Sequence, residues 1–226
     1  MDNWNGIISL LIACIEFILL VNVMALAQKT KPSSLAIVMI TLLFIYQLLE
    51  FLMCHYGLRE SYMAYLAFAD ISFLPPLGLY LVLTFLEYPV SKKTKLIFSP
   101  AVFFVIYYAL TIKEFKVASC TVLYATYNYP LGDVYGILYY SSLVITMILL
   151  YIEVKRKDNL RKTFLSKVLL TGYTIISIPV VFSFLLAAFK YNFLLNTIES
   201  VMCKFALALA LCLSFFCLYD RKVKPS

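Results

Sequence analysis

The chain is short of charge. Of its 226 residues only 14% are Asp, Glu, Lys or Arg, while 63% are hydrophobic. Soluble domains carry about 25% charged residues, so this composition excludes a soluble fold of the same length. Histidine is nearly absent, with His55 alone at the outer end of an apolar run. A zinc hydrolase site takes several His or Cys ligands, and a serine nucleophile needs a placed base. A single histidine therefore argues against both. The six cysteines form no CxxC pair and are too sparse for a disulfide scaffold. Most read as small apolar packing residues. Cys54 and Cys120 both fall near the outer surface, where either a bridge or two free thiols would fit. No internal repeat is present, which removes support for an inverted-repeat transporter. The first apolar run lacks a basic n-region and is long, so it reads as a retained helix and not a cleaved signal.

What the chain does have is seven apolar runs, at about 4–27, 34–56, 62–86, 96–112, 134–154, 164–189 and 197–219. Each reaches spanning length, the fourth only just. Backbone groups in lipid must bond within their own segment, which demands helices. The runs do not alternate as barrel strands would. The expectation is an all-α, polytopic protein: a single seven-helix transmembrane domain over 1–226, in contact with the lipid bilayer of a cell membrane. Little length remains for a soluble catalytic or DNA-binding domain.

The net charge of +7 does not point to nucleic acid, because the basic residues gather at the ends of the apolar runs. One side collects Lys29, Lys31, Lys92, Lys93, Lys95, Lys155, Arg156, Lys157, Arg161, Lys162, Lys167, Arg221, Lys222 and Lys224. The other side has Arg59, Lys113, Lys116 and Lys190. Positive loops stay inside. The N-terminus is expected outside and the C-terminus in the cytoplasm. The longest link, 113–132, then lies outside. It holds Thr121, Tyr124, Thr126, Tyr127 and Tyr129 and ends at Pro130. The first expectation for it is an interfacial aromatic belt. The alternative is a lid over an outward-facing pocket.

Ionisable groups inside a bilayer are costly and mark candidate sites. Here they are Glu16, Glu50, Asp70, Glu199 and Lys204, with Gln47 one turn before Glu50 on the same face. At about 1.5 Å per residue, Glu16, Glu50, Asp70 and Lys204 lie about 9–14 Å from the outer ends of their helices. Four helices place charge in one layer, so these faces point towards each other or towards water. Asp70 and Glu50 are the expected charge partners of Lys204. Several carboxylates near one lysine cannot all ionise cheaply, so a surplus one would hold a proton. An ion-pair network that only fixes packing is the bland reading of the same residues. An oxygen-ligated cation among Glu16, Glu50 and Asp70 is a further one. Pro75 and Pro76 should break the third helix just beyond Asp70. Tyr135, Tyr139, Tyr140, Ser141 and Ser142 serve either as interfacial anchors or as pocket walls.

The stretch Tyr46, Gln47, Leu48, Leu49, Glu50, followed by Phe73, Leu74, Pro75, Pro76, Leu77 and then Glu87, resembles a family of uncharacterised bacterial seven-helix membrane proteins, a domain of unknown function. Tyr127, Tyr140, Ser200 and Cys203 extend the likeness over most of the chain. Met53 and Met202 stand where that family often has tryptophans. The resemblance implies a fold and no activity. A second resemblance is to microbial rhodopsins. Ala69, Asp70, Phe73, Pro76 and Leu77 are similar to their counterion helix, Pro179 to Phe182 to their sixth helix, and Lys204 to the lysine that binds retinal. Ala67, Ile71, Leu81, Ile175, Phe182 and Ser200 depart from the arginine, tryptophans and acids of those proteins, which argues against a proton pump. That resemblance implies a diverged retinal binder or a similar bundle without retinal.

The leading expectation is a membrane binding protein, a sensor or transporter-like, without cofactor or metal. It would hold a small polar ligand, an ion or a proton among Glu16, Gln47, Glu50, Asp70 and Lys204. The alternatives are a retinal protein using Lys204 and a membrane-embedded lipid enzyme using carboxylates as acid and base. The enzyme is the weakest, because no nucleophile is paired with a base.

Overall fold

The structure, a computed structural model, describes residues 4–89, 91–122, 125–157, 159–188 and 198–221. The expectations for Tyr124, Lys190, Lys222 and Lys224 fall outside these residues, as do both ends of the link 189–197. The side chains of Lys92, Lys93, Thr126, Glu199, Ser200 and Arg221 also lie outside what is described.

The chain folds as a helical bundle. Its helices are α1 (Ile7–Leu26), α2 (Lys31–His55), α3 (Ser61–Ser72), α4 (Leu74–Phe85), α5 (Ser99–Leu110), α6 (Gly132–Arg156), α7 (Leu160–Ala188) and α8 (Ile198–Arg221). Among the described residues, six spans are long and apolar enough to cross a membrane, with α3 and α4 together forming one of them, Ser61–Phe85. The fourth expected segment is shorter: Thr94–Leu110 is an apolar helix below that length. It begins as a 3-10 turn, Lys92–Phe98, and continues as α5.

Local chemistry sets the boundaries. Thr30 caps α2 by accepting the Ser33 N–H at 3.3 Å, with proline in the first turn. Asn159 Oδ1 accepts the N–H groups of Arg161 and Lys162 at the start of α7. Pro75 and Pro76 lack an N–H to donate, so α3 ends at Ser72 and α4 restarts at Leu74 with the prolines in its first turn. The break falls two residues beyond Asp70, as expected.

The helical bundle carries one further element. The long link carries an antiparallel hairpin, β1 (Lys116–Cys120) and β2 (Ala125–Asn128). Its register pairs Val117 with Tyr127 and Cys120 with Ala125, with an irregularity between Val117 and Ser119. The aromatic-belt expectation is also corrected. Tyr127 and Ala125 are buried, and so is Phe115 just before the hairpin. Tyr127 and Tyr129 pack on Phe68 of α3, with ring centroids at 5.6 and 4.3 Å. The hairpin therefore turns its aromatic face into the bundle end. A disulfide and a backbone hydrogen bond help to hold it there. Cys54 at the end of α2 forms a disulfide with Cys120. Gly6, just before α1, donates its N–H to the Thr121 carbonyl at 3.1 Å. Gly6 has φ +75, and a Cβ there would stand 3.1 Å from the Cys54 Cβ, so only glycine fits.

The hydrophobic core runs the length of the bundle, from Phe68, Phe115 and Tyr108 at the hairpin end to Leu213, Phe216 and Cys217 at the lysine-rich end. Towards the latter, α7 and α8 approach closely: a Cβ on Gly172 would meet Cys212 and Leu209 atoms at 3.1 Å.

Candidate functional site

α1, α2 and α8 pack against one another near the hairpin end. Each delivers polar groups to a single buried cluster. On α1 the buried stripe runs Ser9, Ile12, Ala13, Glu16, Leu20, Val23, a spacing of three and four that turns Ser9 and Glu16 to the same side. On α2, Tyr46, Gln47 and Glu50 are all buried, one turn apart. On α8, Met202, Cys203 and Ala206 are buried beside Lys204, whose side chain is only 7% exposed.

Lys204 is the centre. Its Nζ donates to Glu50 Oε1 at 2.6 Å, to Gln47 Oε1 at 2.8 Å and to Ser9 Oγ at 2.8 Å. An ammonium has three protons, and all three are taken. The acceptors are themselves held. Ser9 donates to Glu50 Oε1 at 3.0 Å, and Gln47 Nε2 donates to the Cys203 carbonyl at 2.7 Å. Each partner thus fixes a neighbour, which makes the cluster a network and not a single pair.

The other carboxylates behave differently. Glu16 is fully buried, and neither of its oxygens has a hydrogen-bond partner. It lies within the field of Lys204. Asp70 is half-buried, and its Oδ2 is enclosed without a partner. The expectation that Asp70 pairs with Lys204 is corrected. Among the described residues the only ion pair of Lys204 is with Glu50. The reason is geometric: α8 packs chiefly on α7, α2 and α1, and the lysine protons are spent on α1 and α2.

Among the described residues, no three His, Cys, Asp or Glu come together as a metal site. His55 is exposed and stacks on Phe51 at 5.0 Å. Tyr135 is a pocket wall: its hydroxyl meets Ser72 Oγ at 3.1 Å, and with Tyr139 and Ser142 it lines a cleft of about 20 Å³. That volume holds roughly one water.

The hairpin touches this site. Tyr127 OH lies 3.4 Å from Tyr46 OH, one turn before Glu50. The lid reading of the link thus acquires a contact, from the hairpin through Tyr46 to the helix that carries Gln47 and Glu50. Ser9 is the member that sequence reasoning missed. Its signal was present: Ser9 stands seven residues before Glu16, two turns away on the same helical face.

No protein-family model, curated protein or solved structure matches this chain.

Proposed function

We propose that this is a multi-pass protein of the cell membrane, with seven transmembrane helices, its N-terminus outside and its C-terminus in the cytoplasm. Its task is to bind a proton or a small polar ligand around Lys204, as a sensor or a transporter-like protein does. The orientation rests on the basic residues that gather at one end of the bundle. One observation carries the functional reading. A single buried ammonium, Lys204, faces one carboxylate that it bonds, Glu50, and a second, Glu16, whose oxygens have no hydrogen-bond partner. Two buried negative charges against one positive charge leave a deficit, and burying an unbalanced charge is costly. A proton or a cationic group balances it. The contacts around Lys204 are direct, at 2.6–2.8 Å, so a proton is the occupant that enters without displacing a helix. A group that breaks the Lys204–Glu50 pair would free α8 from α2, and the hairpin contact at Tyr46 offers a route for that change to the outer surface.

The test is infrared spectroscopy of the carboxyl groups in the reconstituted protein, titrated with acid and base. A carboxyl band that changes with pH and is absent in Glu16→Gln supports a proton site. If no carboxyl band moves with pH, and Glu50→Gln and Asp70→Asn only lower thermal stability, the cluster is structural. An absorption band that appears with all-trans-retinal and vanishes in Lys204→Ala would replace the proton by a chromophore.

A further inference from the structure

A cavity elsewhere in the bundle has no part in that site. It is an apolar groove of about 480 Å³ on the outer surface of the bundle, between α6 and α7. That size is in the range of ligand pockets, about 300–1,000 Å³. On α6 it is walled by Val144, Met147 and Tyr151, and on α7 by Leu170, Thr174 and Ser177. Both sets step by three and four residues, so each is a straight stripe along its helix. The hydroxyls do not make the groove polar. Thr174 donates to the Leu170 carbonyl at 2.8 Å and Ser177 to the Tyr173 carbonyl at 2.7 Å.

Continued by one turn, the α6 stripe reaches Lys155 and the α7 stripe reaches Lys167. Both lysines are exposed, and Lys155 Nζ stands 4.9 Å over the ring of Tyr151 at the groove's end. The groove therefore has an apolar shaft and a basic mouth. Glu153 lies about 200° round the helix from Tyr151, on another face of α6. The shaft runs from Tyr140 to Tyr151 on α6, about 16 Å at helical rise, which matches one leaflet of a hydrocarbon core about 30 Å thick.

We propose that this groove is a binding site for an anionic phospholipid, with one acyl chain along the α6–α7 shaft and the phosphate headgroup between Lys155 and Lys167. The occupant is set by two features at once. A shaft that opens sideways into hydrocarbon takes a chain from the surrounding leaflet, and two lysines at the interface select a negative headgroup. The proposal stands apart from the Lys204 site, because it shares no residue with it.

The experiment is native mass spectrometry of the full-length protein released from nanodiscs of palmitoyl-oleoyl phosphatidylglycerol and phosphatidylcholine. The wild type should retain phosphatidylglycerol with a preference on the order of tenfold. Lys155→Ala with Lys167→Ala should bring that preference close to one while the protein stays folded, since both side chains are exposed. Val144→Trp, placed at an exposed groove position, should reduce retention of either lipid. Equal retention of the two lipids by the wild type overturns the proposal, as does a preference that survives the double lysine substitution. A dimer that Val144→Trp dissociates, with lipid retention unchanged, also overturns it and gives the groove to a second copy of the chain.

Discussion

The two ends of this bundle each contain an ion pair, and the pairs differ in kind. At the hairpin end Lys204 and Glu50 meet at 2.6 Å, with side chains 7% and 1% exposed. At the lysine-rich end Lys162 and Glu87 meet at 3.0 Å, with side chains 29% and 75% exposed. The first pair is braced by Ser9 and Gln47 and lies beneath a hairpin tied down by a disulfide. The second is largely open to solvent. Charge in this protein is therefore used in two ways. Where it is buried, it joins α8 to α1 and α2. Where it is exposed, it meets solvent at the end of the bundle.

The largest effect expected from that contrast comes from Glu50→Ala. It leaves the buried Lys204 ammonium hydrogen-bonded only to the neutral Ser9 and Gln47, at a cost of about 3–5 kcal/mol. Unfolding in mixed detergent micelles measures it. Replacing the pair by Glu50→Leu and Lys204→Met together should restore most of the loss, because buried pairs are often exchanged for apolar residues at little cost. A double variant as unstable as the single one would mean that the network does more than balance charge.

The next effect is at the outer tie. Cys54→Ser removes a bridge between residues 66 apart in sequence, and a link of that span is worth about 2–4 kcal/mol. Thermal unfolding should show the loss, and reduction of the wild type should reproduce it. The hairpin's aromatic packing on Phe68 should keep the rest of the bundle folded. If reduction has no effect on stability, the hairpin is held by its buried rings alone, and the contrast between the two ends rests on the Lys204 network.

Much of this was readable in the chain itself. Polar residues in otherwise apolar runs are conspicuous, so Glu16, Gln47, Glu50 and Lys204 could be placed in one layer by counting residues along helices. Counting gives depth, however, and not azimuth. A shared depth therefore pairs Asp70 with Lys204, although α8 packs on α7, α2 and α1. Pro75 and Pro76 announced the break between α3 and α4, because a missing N–H has a local consequence. The hairpin was not announced. Its strands are four or five residues long, and their tyrosines suit a membrane interface as well as a sheet. What decides between these is long-range contact with Phe68 and Cys54, which a local pattern does not carry. Ser9 was hidden for a simpler reason: an isolated serine in an apolar helix usually bonds its own backbone, as Ser72, Thr84 and Thr146 do here.

The smallest effect belongs to the exposed pair. Lys162→Ala removes the partner of Glu87, but Glu87 is 75% exposed and water replaces the lysine at once. Such pairs are worth about 0–1 kcal/mol, so unfolding should shift by no more than that. The backbone supplies a reason to measure it. Glu87 has φ 61, in the left-handed region, at the end of α4, so the ion pair could be what holds this strained residue at its turn. Glu87→Gly separates the two contributions: it removes the pair and the strain together, and the released strain should offset the lost attraction. A Lys162→Ala loss comparable with that of Glu50→Ala, recovered in the Glu87→Gly background, would make the lysine-rich end as specifically built as the hairpin end. A loss within about 1 kcal/mol in both backgrounds keeps the division, with buried charge organising one end and solvated charge bordering the other.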